Sequence, residues 1–97
     1  MSDVAKPLEI IHDSGKHEFS VVVDGHRCEV DYQLDGKVMT ITHTGVPSPV
    51  GGRGIANLLT RFAVQVAAAQ GWKVKPACSY AALWFERNPE YRHLLAP

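Results

Sequence analysis

The sequence predicts an α+β fold, in which an antiparallel meander is followed by a glycine loop, a long helix, one parallel strand and a short C-terminal helix. Three observations lead there. Apolar residues recur at every second position through most of Phe19–His43, and Asp24-Gly25 and Asp35-Gly36 divide the run, dipeptides that close tight hairpins. From Ile55 the spacing becomes helical, with Ile55, Leu58, Leu59, Phe62 and Val66 recurring on one side. Gly71 ends that run, as a left-handed cap would, and a brief apolar strand follows.

Taken in order, Met1–Pro7 reads as a flexible tail, and Leu8–Ile11 as a short strand ended by Asp13-Ser-Gly15. Phe19, Val21 and Val23 mark the first strand of the meander. In the second, Cys28, Val30, Tyr32 and Leu34 face one way and Arg27, Glu29, Asp31 and Gln33 the other. The third strand, Lys37–Thr44, is expected to carry Met39, Ile41 and His43 on one face. Pro47 and Pro49 should then hold the chain extended. The long helix spans Gly54–Gln70, and the strand Trp72–Pro76 should lie parallel to the third strand by a right-handed crossover. A helix over Ala77–Asn88 carries Tyr80, Leu83 and Trp84, is interrupted by Pro89, and leaves a last helical turn at Glu90–Leu95. All 97 residues form one domain.

Composition narrows the functional classes. Ten basic and ten acidic residues cancel without a basic stripe, so nucleic acid is not an expected partner. No apolar run approaches a membrane span and the first residues are polar, which points to a cytoplasmic chain without a membrane partner. Cys28 and Cys78 are far apart and outside any CxxC pair, and none of the five histidines sits in a ligand spacing, so reduced thiols and no metal are expected.

The stretch that organises the rest is Val46–Ala56, Val-Pro-Ser-Pro-Val-Gly-Gly-Arg-Gly-Ile-Ala. Three glycines lead into a helix N-terminus, where free amides and the helix dipole favour an anion. The run matches neither the Walker pattern nor the dinucleotide fingerprint, and a plain strand-to-helix turn has the same composition. Two further groups fall at the same sheet edge. His43 ends the third strand, and Cys78 opens the last helix, where a thiol is activated. Either residue can equally be core, as can Tyr80 and Trp84 at i and i+4. Cys28, on the packed strand face, reads as a small buried hydrophobe.

Three blocks carry a family resemblance: Ile41-Thr-His-Thr44 with Val46-Pro47, Gly52-Arg-Gly-Ile-Ala56 with Leu58-Leu59, and Val74-Lys-Pro-Ala-Cys-Ser-Tyr80 with Asn88-Pro-Glu-Tyr91. Over residues 17–95 the chain resembles the Gcn5-related N-acetyltransferase (GNAT) family, in its very small single-domain branch. The resemblance implies acetyl-coenzyme A as co-substrate and an amine as acceptor, unidentified and either a small molecule or a protein. It implies coenzyme contacts at Thr44, Val46, Val50, Gly51, Gly52, Arg53, Gly54, Ile55 and Ala56, and at Tyr80 and Phe85 of the last helix. It also implies a splayed sheet near Thr44–Pro47, and catalytic roles for Cys78 beside the thioester and for His43 as base. Two positions depart from the family pattern. Gly51 stands where the broader signature has Arg or Gln, and Phe85 stands where larger relatives carry a tyrosine acid. The resemblance therefore implies an acetyl-CoA-dependent N-acetyltransferase, with a non-catalytic coenzyme A-binding module as the alternative.

Overall fold

The computed structural model describes residues 8–97, so the tail expected at 1–7 lies outside the described residues. Five strands form one sheet in sequence order: β1 (Ile11–Asp13), β2 (Glu18–Val23), β3 (His26–Asp35), β4 (Val38–Gly45) and β5 (Lys73–Pro76). The first four pair antiparallel, and β5 lies parallel to β4 from Val38↔Lys73 to Ile41↔Pro76. The short first strand sits two to three residues later than the apolar pattern suggested. His12 pairs with Phe19 there and stacks on its ring at 4.1 Å.

Helix α1 (Ile55–Gln70) begins and ends on glycine. Gly54 and Gly71 have φ of 79° and 77°, the left-handed region where a Cβ is penalised. Gly71 donates to the carbonyls of Ala67 and Ala68 and so closes the helix. The buried face of α1, including Leu59, Ala63, Val64 and Ala67, packs on one face of the sheet, where Phe19, Cys28, Val30, Met39, Ile41 and Val74 are fully buried. Helix α2 (Ser79–Arg87) adds Ala81, Trp84 and Phe85 to the same core. At about 25 cal/mol per Å² this single-sided burial is the main favourable term of the fold.

Two expected elements take a different form. Pro47 keeps an extended ψ of 146°, but Ser48–Val50 is a turn of 3₁₀ helix containing Pro49. Proline's fixed φ suits the start of such a turn as well as it suits an extended chain. The last helical turn, Pro89–Leu94, is also 3₁₀. Beyond it Leu95 bridges to Val74 and the Ala96 amide donates to the Val74 carbonyl at 2.8 Å. No helix of the described residues is long and apolar enough to cross a membrane.

The junction of β1 with the sheet is acid-sensitive. His12 Nε2 lies 2.6 Å from the Tyr32 hydroxyl. Burial lowers the His12 imidazole from its ordinary 6.5, His17 adding to the effect and Asp13 opposing it. The folded state therefore binds fewer protons here than the unfolded chain. The contribution is complete above about pH 6.5 and is lost as pH falls towards the lowered value. Thermal melts from about pH 7.5 to about pH 5.5 should show a falling Tm, with a shallower fall in His12→Gln. Equal slopes would assign the acid sensitivity to other groups.

Candidate functional site

The site is assembled where β4 and β5 part. Their ladder ends at Ile41↔Pro76, and the amides of Ala77 and Cys78 both donate to the Ile41 carbonyl, at 3.0 and 3.1 Å. Past this point β4 runs on to Gly45 paired with β3, while the other chain turns into α2. Thr42–Gly45 thus has no strand partner on its β5 side among the described residues.

A bulge in β4 decides what faces where. Tyr32 pairs with Ile41 but Asp31 pairs with His43, so Thr42 is an extra residue. An inserted residue reverses the alternation beyond it. Asp31 lies on the solvent face of β3, between Val30 and Tyr32, which are buried. Its partner His43 shares that face and is exposed. The expectation that His43 lies with Met39 and Ile41 is therefore incorrect: the bulge turns it to the opposite side. The same reversal turns Thr44, paired with Val30, towards the helix side.

There Thr44 meets Cys78. The Thr44 hydroxyl lies 3.5 Å from Cys78 Sγ. Cys78 is the N-cap of α2, and its sulfur accepts from the Ala81 amide at 3.4 Å. The half-buried sulfur is thus held between a hydroxyl and a helix-terminal amide. Cys28 differs in setting: it is fully buried, and burial pushes its thiol up. Both cysteines are free.

The glycine loop lies at the mouth of α1. Gly52 and Gly54 have φ of 78° and 79°, and a Cβ at either would meet nothing within 4 Å. The backbone angle, rather than crowding, requires glycine, and the space beside the loop is open. Val50 and Ile55 are 1% and 3% exposed, so they anchor the two ends of the loop in the core and can meet a ligand only through backbone. No acidic side chain occupies the first turn of α1. Its unpaired amides can therefore receive an anion without competition. Arg53 is not free beside them: it pairs at 2.5 Å with Asp24 on the β2–β3 turn.

A groove of about 290 Å³ runs between α1 and α2. Asn57 and Arg61 line it from α1, and Tyr80, Leu83, Trp84, Arg87 and Asn88 from the other side. The Trp84 indole donates to Asn57 Oδ1 at 2.8 Å, and Arg61 donates to Asn88 Oδ1 at 3.2 Å. Of the residues assigned from sequence, Tyr80 lines this groove. Phe85 does not; it is 4% exposed and packs edge-to-face on Trp84 at 5.2 Å. Asn57, Arg61, Arg87 and Asn88 were not singled out as site residues. Asn57 and Arg61 are spaced i, i+4 on α1, and Arg87 and Asn88 stand three and four residues after Trp84; these spacings are the available signal, but they read as ordinary polar helix positions.

On the outer face, donor atoms of Glu29, Asp31 and His43 lie within 4.8 Å of one another. This is the grouping among the described residues that could hold a cation. Glu29 is also bound by Arg27. Burial, then Glu29, raises the Asp31 carboxyl above the usual range, with His43 opposing.

Residues 18–94 match the profile of the GCN5-related N-acetyl-transferase family. Over 96 residues the chain is 31% identical to Protein NATD1 of Mus musculus, covering 94% of this chain and 87% of that protein. It is 30% identical to Protein NATD1 of Homo sapiens, with 94% and 85% covered. The solution structure of a GCN5-like protein from Staphylococcus aureus is similar at a TM-score of 0.73 and 28% identity, over 92% of this chain and 88% of the other.

The two thiols should separate cleanly under limited alkylation at neutral pH. Peptide mapping is expected to find Cys78 labelled well before Cys28, whose burial must be undone first. Faster labelling of Cys28 would contradict both the strand register and the helix cap.

Proposed function

The chain belongs to the GCN5-related N-acetyltransferase family, and from that premise we propose that it binds acetyl-coenzyme A and transfers the acetyl group to an amine. The observation that carries this reading is the loop Gly51–Ala56, which follows the end of β4 in the chain and opens on a helix mouth with no acid in the first turn. Loop amides are suited to the pyrophosphate. The unpartnered backbone of Thr44–Val46 is suited to the amides of the pantetheine arm. Because Gly51 offers no side chain and Arg53 is engaged by Asp24, phosphate binding falls mainly to backbone.

Acetyl-coenzyme A supplies an activated thioester. The amine nitrogen forms the new bond to the carbonyl carbon, the carbon–sulfur bond breaks, and coenzyme A leaves as a thiolate. Two proton transfers are needed, and the bulge divides them. His43 and Cys78 stand on opposite sides of β4, so they do not act as a hydrogen-bonded pair. His43, exposed on the solvent face, takes the proton from the attacking amine. Cys78, on the helix side, gives its proton to the departing thiolate and is left stabilised by the Ala81 amide and the Thr44 hydroxyl. Alternatively the Cys78 sulfur takes the acetyl group first and passes it on. In this reading the chain works in the cytoplasm, where both thiols stay reduced.

One observation favours a second reading, a non-catalytic coenzyme A-binding module. The position of the tyrosine acid of larger relatives is held by Phe85, which is buried and has no proton to give.

Calorimetry with coenzyme A tests the binding half. Gly54→Val forces a branched residue into φ near 79° and fills the space beside the loop; it should abolish binding, with a thermal melt confirming that the variant is folded. Arg53→Ala should weaken binding by no more than ~1–3 kcal/mol. Intact binding in folded Gly54→Val would place the ligand elsewhere.

Cys78→Ala tests the catalytic half. It should retain coenzyme affinity and lose about 10²–10⁴ in turnover. If the sulfur is a nucleophile, brief incubation of wild type with acetyl-CoA should leave a hydroxylamine-sensitive acetyl group on Cys78. Wild-type binding without acetylation of any amine in a broad panel would leave the binding module standing.

A further inference from the structure

The α1–α2 groove contains two guanidinium groups and no carboxylate, yet the two arginines are used differently. Arg61 is a fixed wall. It donates to Asn88 Oδ1 and to the Tyr91 hydroxyl at 3.2 and 3.5 Å, and lies 5.6 and 5.8 Å from the ring centroids of Trp84 and Tyr91. Arg87, exposed at the last turn of α2, has no ion pair or side-chain hydrogen bond among the described residues. Its positive charge acts on the Tyr80 phenol, opposing the upward push of burial, which prevails. The phenol therefore keeps its proton and can donate. A free guanidinium and a phenolic O–H share one groove whose floor is the Trp84 indole. This is the donor set for a phosphate monoester beside an aromatic base.

The groove starts at Asn57, in the first turn of α1, and so adjoins the loop that receives the pyrophosphate in the reading above. Coenzyme A carries a second phosphate, on the 3′ oxygen of its ribose, one sugar ring from the pyrophosphate. A monoester there bears between one and two negative charges at neutral pH. We propose that Arg87, in the same groove as the Tyr80 hydroxyl, binds this 3′-phosphate and so distinguishes coenzyme A from its dephospho form. The assignment rests on the coenzyme reading and gives the adenosine end a specificity determinant separate from the loop amides.

The test is calorimetric titration of the full chain with coenzyme A and with dephospho-coenzyme A, at low ionic strength, for wild type, Arg87→Gln and Arg87→Lys. Wild type should bind coenzyme A about tenfold or more tightly than the dephospho form, the usual worth of a charge-assisted pair. Arg87→Gln should bring the two affinities together by weakening coenzyme A alone, with dephospho-coenzyme A unchanged, and Arg87→Lys should retain part of the ratio. Equal wild-type affinities, a ratio that survives Arg87→Gln, or a parallel loss for both ligands would each overturn the assignment while leaving the coenzyme reading intact. Wild type that binds neither molecule would remove the coenzyme reading and this assignment with it.

Discussion

One inserted residue in β4 governs what the candidate site can do. Without Thr42 as an extra residue opposite Asp31 and Tyr32, the alternation of β3 would carry straight through its neighbour. His43 would then lie against the helices, and Thr44 would face solvent. The bulge exchanges them. The imidazole is set among Glu29 and Asp31 on the open face, and the hydroxyl is brought to Cys78 at the cap of α2. A bulge costs part of a ladder and is found where a side chain must be re-aimed or pairing must stop. Here it does both, because the β4–β5 ladder ends one residue earlier, at Ile41.

The second constraint is the tie between the two helices. Asn57 accepts from Trp84, and Arg61 reaches Asn88 across sequence separations of 27 residues each. These bonds fix the groove walls to the same helix whose first turn faces the glycine loop. A ligand that touches both loop and groove would therefore meet one rigid unit, with little ordering left to be done on binding.

Much of this is legible in the sequence, and what is not has identifiable physical causes. Strand alternation, the two Asp-Gly turns, the glycine caps of α1 and the parallel crossover are local or short-range signals, and they located the elements to within a few residues. The strand sequence Ile41-Thr-His-Thr44 contains no glycine or proline to mark a bulge. Its apolar–polar pattern continues a regular strand equally well, so His43 was placed on the wrong face. Pro47 and Pro49 fix φ without fixing ψ, so they left an extended chain and a 3₁₀ turn undistinguished. The groove was invisible for another reason. Asn57 and Arg61 are unremarkable polar positions on α1 until Trp84 and Asn88 come into register with them. The burial of Phe85 follows from the periodicity of α2, which turns Ala81, Trp84 and Phe85 inward together.

The backbone that follows the final 3₁₀ turn has a consequence for how molecules of this kind meet one another. Strand β5 borders the sheet, and its outward hydrogen-bonding groups would invite a foreign strand. Leu95 bridges to Val74 and the Ala96 amide takes up its carbonyl, so the border is guarded by the chain itself. At the opposite border β1 is three residues long, too short to template much pairing. Apart from the open stretch Thr42–Gly45 of β4, both flanks of the sheet are thereby poor starting points for sheet-to-sheet aggregation, a protection obtained with a few residues of backbone rather than with an added helix.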